Sequence, residues 1–506
     1  MAFINEEIVL NYYIEQLDKD NIVFLKNRVH YKEKIKKQIE EMKKAEGIHD
    51  KIESAKVLWK SLFDASMSFI DSDKRGYDTI FKYFDKYVNF EELIFASDSF
   101  YRDHTLHSLW VYFLGEYIYR KQEFSNLFDH KDLMLKEFLN IRNDIKEINS
   151  WGFFDDIEKK YDDIMEYIEN EEAVRCVSAL CHDLGYPIKK IEKISESIMD
   201  MLPYFSIKRA EEFSFSYSVL EQIHIQSFIE FLSFSISFSN LDEYDEKIFE
   251  LIETKCDGMN ICGIKKDRVK ALNEENLYRL KKALTLGVSV EKNLSKYWSY
   301  ARNFEEYAHG IMSAFLLSKN IRAFENINVW VDKDKDYLKD IKFSDIVSKQ
   351  EILKAITEHT NDSFRITKIS SYVEMLVLID EIEEFSRISR ANKNREFVDD
   401  YCKTQISSDG EWFNIDFTFN NTANFINPEI SFIHRSKRFL MLFDIKNLDK
   451  NIKIRMRCIV KRKDESIYTL EIGKNYAKIM VNDKKVNIPE YLKSEQFYTS
   501  EEYSFI

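Results

Sequence analysis

The sequence predicts a mainly α-helical fold: a helical core with an N-terminal helical extension, a helical insertion and a smaller C-terminal α+β domain. Three observations carry this. Only 11 glycines and 4 prolines occur in 506 residues, which favours long helices over glycine-looped or all-β architectures. The histidine- and aspartate-bearing segments up to about residue 395 each sit in an apolar, helix-like frame. Past about residue 400 the patterning turns to period two. With 44% apolar and 14% aromatic residues the chain is globular, and its length allows about three domains at the usual ~150 residues each.

Residues 1–95 form the extension. In Tyr31–Lys44, Ile and Met recur at helical spacing among alternating charges, so this stretch is expected to be a solvated helix packed on the body, with an oligomerisation helix as the alternative. The core spans 96–395 and holds an insertion at about 190–300. Within that insertion, the aromatic–serine runs Phe213–Ser218 and Phe228–Phe238 fit helix and strand alike. From 405 to 506 a β-rich accessory domain is expected. Trp412–Asn420, Lys453–Lys461 and Ala477–Val481 all alternate, and Asn482-Asp483 looks like a turn.

Chemistry concentrates in the core. His182 and Asp183 follow one another in the apolar frame Val177–Pro187 and offer adjacent nitrogen and oxygen ligands for a hard or borderline divalent metal such as Mn, Mg, Fe or Zn. Upstream, His104 and His107 lie one turn apart on a helical face. Downstream, His309 opens an apolar helix, His359 ends another, and Asp380 follows the apolar run Val373–Ile379. The candidate ligands are His107, His182, Asp183 and Asp380, for one or two ions per chain. Phosphate would need cations as well, and Arg102 and Lys189 sit nearest the ligands in sequence. His224 is expected to be structural.

In its order of His, His-Asp, His, His and Asp, the chain resembles the HD superfamily of metal-dependent phosphohydrolases, over roughly residues 97–395. Two branches are echoed. The stretch from His107 to Gly115, and His309 with Ser313 four residues on, look like the deoxynucleoside triphosphate triphosphohydrolases. The set His309, His359 and Asp380 resembles the longer ligand list of two-metal phosphodiesterases. The resemblance implies catalytic roles for His309, His359 and Asp183. His309 would be a general acid if unliganded, and Asp183 a bridge to a second metal. From their positions in the sequence, Arg102 and Lys189 are the expected substrate contacts, and His104 is expected either to contact phosphate or to compete with His107 for the ligand role. The resemblance further implies hydrolysis of a dNTP to deoxynucleoside and triphosphate by metal-activated water. Phosphodiester hydrolysis of a cyclic or oligomeric nucleotide is the alternative, and a nucleotide-binding scaffold without catalysis is a third reading. The chain departs from the triphosphohydrolase pattern in Gly185-Tyr-Pro187 after the pair, and in the acidic run Asp380-Glu-Ile-Glu-Glu384. The letters Gly-Tyr-Pro coincide with the name of the HD-GYP phosphodiesterases, whose second motif lies farther downstream.

A formal charge of −14 removes a global basic footprint for nucleic acid, so a nucleotide substrate or regulator must be captured by local cations and metal. Six scattered cysteines without CxxC spacing, no leader pattern and no apolar run of ~18 residues point to a cytoplasmic chain off the membrane, and a homo-oligomer is expected. Gly258–Gly263 has P-loop glycine spacing, but Ile264 stands in the lysine position.

Overall fold

The computed structural model describes residues 4–95, 100–128, 155–207, 216–240, 286–327, 342–389, 402–419, 428–461 and 466–486. The Gly258–Gly263 stretch and Phe213–Phe215 lie outside the described residues. The protein is mostly helical with a small C-terminal sheet domain, as the glycine and proline scarcity foretold.

Four helices make the N-terminal part: α1 (Glu6–Asp18), α2 (Val29–Lys44), α3 (Ile48–Ile70) and α4 (Tyr77–Phe95). The Asn5 side chain accepts the Ile8 N–H at 2.8 Å, and Glu6 and Glu7 follow in the first turn, so α1 starts where its dipole favours negative charge. In α2, Ile35, Ile39 and Met42 form the buried stripe, as their spacing predicts, and Lys43 and Lys44 close the last turn. α3 is no surface helix. Leu58, Trp59, Leu62 and Phe63 are fully buried, and α3 packs directly on the core.

The core begins with strand β1 (Phe100–Arg102) and helix α5 (His104–Arg120), which is buried from His104 to Ile118. Helix α6 (Asp155–Cys181) packs against α3, α5 and α11 (Phe343–Glu358). Between them come α7 (Tyr186–Met201), α8 (Val219–Ser233), α9 (Leu294–Glu305) and α10 (His309–Asn320), and α12 (Tyr372–Ile382) completes the core. Strand β4 (Arg387–Ser389) pairs antiparallel with β1, Arg102 opposite Arg387. The backbone just before the first histidine is thus tied to that just after the last aspartate.

The insertion holds a ribbon as well as helices. β2 (Phe234–Asn240) pairs antiparallel with β3 (Leu286–Lys292). The ambiguous run Phe228–Phe238 is both things in succession. Phe228, Ile229, Phe231 and Leu232 share a helical face, and from Phe234 onward apolar residues alternate with serines along the strand.

The C-terminal domain is a six-stranded sheet, β5 (Cys402–Ser408), β6 (Phe413–Phe419), β7 (Ile454–Val460), β8 (Ser466–Gly473), β9 (Tyr476–Val481) and β10 (Lys484–Val486) in that order across it. Neighbours are antiparallel except β6 and β7, which run parallel with helix α13 (Pro428–Leu442) between them in sequence, as a parallel pair requires. Asn482 and Asp483 both take positive φ, 50° and 62°, in the two-residue turn joining β9 to β10, the geometry short hairpins prefer. The sheet is joined to the helices. The Ile366 N–H donates to Leu442 O at 2.8 Å, the Phe124 and Phe413 rings meet at 5.7 Å, and one hydrophobic core runs through both parts. Among the described residues, no helix is long and apolar enough to cross a membrane.

Candidate metal centre

Helix termini converge on one buried point. His104 and His107 occupy the first turn of α5, His182 and Asp183 follow the end of α6, His309 opens α10, His359 caps α11, and Asp380 lies in the last turn of α12. Asp103 fixes the start of α5 by accepting the Leu106 N–H at 2.8 Å, which sets His107 on the inward face.

Hydrogen bonds orient three of the rings. His182 Nδ1 lies 2.8 Å from Ala179 O, and His359 Nδ1 2.5 Å from Ile356 O. A carbonyl only accepts, so both Nδ1 atoms carry protons. His107 Nδ1 lies 2.6 Å from the Glu383 carboxylate, which favours the same tautomer. All three rings therefore turn Nε2 inward. His107 Nε2 and His182 Nε2 stand 3.2 Å apart. Asp380 Oδ1 is 2.8 Å from the first and 3.8 Å from the second, and Asp183 Oδ2 is 3.7 Å and 3.3 Å from them. The other oxygen, Asp183 Oδ1, faces His309 Nε2 at 3.2 Å and His359 Nε2 at 3.4 Å.

This donor set fits a cation. Imidazole lone pairs and carboxylates gathered at such distances in a buried site repel one another unless positive charge stands among them. The side chains record the need. Burial alone would lower the proton affinity of His182, yet Asp183 and Asp380 outweigh it and raise its pKa to about 9. Burial likewise opposes ionisation of Asp183, but His182, His309 and His359 hold its carboxyl well below the usual range. His359 Nε2 is buried and has no hydrogen-bond partner among the described residues. Two groups, His107 with His182 and Asp380, and His182 with Asp183 and His359, keep their ligating atoms within 4.8 Å, and these buried groups could hold a metal ion.

A metal held by His182 would compete with a proton for the same nitrogen. Its raised pKa means that, after chelation, the protonated ring stabilises the fold below the ordinary ~6.5 and that this contribution is lost as pH rises through about 9. Metal uptake through His182 at pH 7.5 would have to displace that proton. About one proton per chain is expected to be released on loading with Mn²⁺, read by calorimetry in buffers of different ionisation enthalpy. No release would show that His182 is not a ligand.

The substrate-side candidates divide. His104 does not share the His107 position: its Nδ1 lies 2.7 Å from Glu91 Oε2, and its ring packs 4.0 Å from that of Tyr186. Lys189 is exposed in the first turn of α7, near enough to His309 for its charge to disfavour protonation there. Arg102 lies in β1, and its side chain is outside the described ones. His224 packs on Phe315, at 5.7 Å between rings.

Several supports were not legible as site residues. Glu383, fully buried, holds His107 and also accepts from Ser386 N at 2.9 Å and Ser386 Oγ at 2.6 Å. Trp59 Nε1 donates to Leu180 O at 2.8 Å and the Tyr83 hydroxyl to Leu184 O, so N-terminal helices grip the His182–Asp183 turn from both sides. Ser313 Oγ accepts from Gly185 N at 2.6 Å and donates to His309 O at 2.8 Å, which gives the His309–Ser313 spacing a structural role. Gly185 and Gly310 permit this closeness. A Cβ on Gly185 would stand 2.3 Å from His309 O, and one on Gly310 2.5 Å from Ile356 O.

No family model matches the chain, and no curated protein or solved structure matches it either. Function is therefore read from the geometry.

Proposed function

We propose that this protein is a metal-dependent phosphohydrolase of nucleotides whose two metal positions share Asp183, and that its substrate is a phosphodiester of a cyclic or oligomeric nucleotide. One observation carries this reading: the two oxygens of Asp183 face two different donor sets, Oδ2 toward His107 and His182 and Oδ1 toward His309 and His359. Asp380 completes the first set. When bound, a divalent pair lowers the pKa of water and neutralises charge on phosphate. The large share of imidazole favours Mn, Fe or Zn over Mg. Lys189 offers an exposed ammonium beside the site for a phosphate oxygen.

The dNTP triphosphohydrolase reading keeps its two sequence supports, the His107–Gly115 stretch and the His309–Ser313 spacing. It requires His309 as a proton donor, and burial pushes that ring down to about 4, which leaves it neutral at pH 7 and suited to ligation. The two readings separate on one variant. His309→Ala is expected to lower metal content from two ions per chain to one and to reduce hydrolysis of a cyclic dinucleotide at least tenfold. Two ions retained, with loss confined to dNTP cleavage, would instead assign His309 as the acid. A fully loaded wild-type chain that cleaves neither substrate class would favour the non-catalytic nucleotide-binding scaffold.

A further inference from the structure

The acidic run Asp380-Glu-Ile-Glu-Glu384 divides its side chains between two parts of the molecule. Asp380 and Glu383, three residues apart, face the centre, where they meet His107 Nε2 at 2.8 Å and His107 Nδ1 at 2.6 Å. Glu381 and Glu384, also three apart, face α13 of the C-terminal domain. Arg438 Nε donates to Glu381 Oε2 at 2.8 Å, and Arg435 Nη1 to Glu384 Oε1 at 3.1 Å. Arg435 and Arg438 are themselves one turn apart, so one face of α13 reads one edge of the segment that carries the ligand.

Both ends of this contact are anchored. Along α13, Phe432, Ser436, Phe439 and Leu440 are buried. The Arg435 guanidinium lies 3.7 Å over the Phe417 ring of the sheet. Glu384 is 5% exposed and Arg435 21%, so that pair is shielded enough to hold geometry, whereas Arg438 at 59% is the adjustable member. Between the two glutamates, Ile382 is fully buried.

We infer that Arg435 and Arg438 are positioning residues through which the C-terminal domain sets the pose of Asp380 and Glu383, and hence the affinity of the metal position built on His107. The inference rests on the metal-binding reading above and adds to it a regulatory input from α13. The seating of that helix on the sheet becomes a variable that the centre senses.

The test is calorimetric titration of the chelated full-length chain with Mn²⁺, comparing wild type, Arg435→Gln/Arg438→Gln and Arg435→Lys/Arg438→Lys. The glutamine pair is expected to weaken one Mn²⁺ site by about two- to thirtyfold and leave the other near its wild-type value, the range for coupling carried by residues that do not themselves touch a ligand. The lysine pair should recover most of the loss, because a charge at each glutamate is restored. Wild-type affinities at both sites in the glutamine pair would overturn the coupling while leaving the metal centre intact. A wild-type chain that takes up no Mn²⁺ would overturn the centre itself. Should the double variant lose its helical circular dichroism, Arg438→Gln decides, its side chain being mostly exposed: unchanged affinity there overturns the inference, and a weakened single site supports it.

Discussion

Asp183→Asn is expected to remove both metal positions at once and to bring hydrolysis to background, in a chain that still folds. The reason is geometric. Asp183 faces four imidazoles, with Oδ2 on the side of His107 and His182 and Oδ1 on that of His309 and His359. An asparagine keeps the shape but supplies one neutral oxygen and one donor nitrogen, so one donor set loses its ligand and the other its negative charge. Outer supports of metal ligands are typically worth 10–100-fold in affinity, so loss of a shared ligand should exceed about 100-fold at each position. By contrast Asp380→Asn, which touches the first set alone, should leave one ion bound. Metal content by mass spectrometry and turnover, measured together, separate these cases. Two ions in purified Asp183→Asn would remove the bridging role and with it the two-metal reading.

The candidate ligands could be picked out in the sequence because their chemistry is local. An imidazole next to a carboxylate in an apolar frame has few other uses, and Asp380 behind Val373–Ile379 repeats the pattern. What could not be read was the choice between neighbours. His104 and His107 share a helical turn, and long-range partners separate them: Glu91 takes one, while Glu383, 276 residues along the chain, takes the other. The acidic run at 380–384 was legible as a departure from a pattern, yet its division between the centre and α13 depends on a helix more than forty residues later. Fold class followed from glycine and proline scarcity and the change of period, both statistical properties of long segments. The Phe228–Phe238 run resisted because its period changes inside it, at the junction of α8 and β2.

The N-terminal extension shows the same limit and supports a second strong effect. Its charges at 31–44 read as a solvated helix, but the following helix carries Trp59, fully buried and stacked on Phe84 at 3.9 Å and Phe63 at 5.2 Å. Its indole N–H meets Leu180 O, one of the last carbonyls of α6 and without a helical partner of its own there. That carbonyl lies two residues before His182, which places the indole where it could set the exit angle of the His182–Asp183 turn. Trp59→Ala is expected to destabilise the chain by about 3–5 kcal/mol, as for other large aromatic truncations in a core, and urea unfolding would measure it. Trp59→Phe is the sharper test. It keeps most of the stacking and removes the donor, leaving a buried carbonyl unsatisfied at about 1–3 kcal/mol. If the indole positions the turn, Mn²⁺ affinity in Trp59→Phe falls along with stability. Stability lost with Mn²⁺ affinity unchanged would mean that the Tyr83 and Ser313 contacts hold the turn on their own, and that Trp59 serves the core alone.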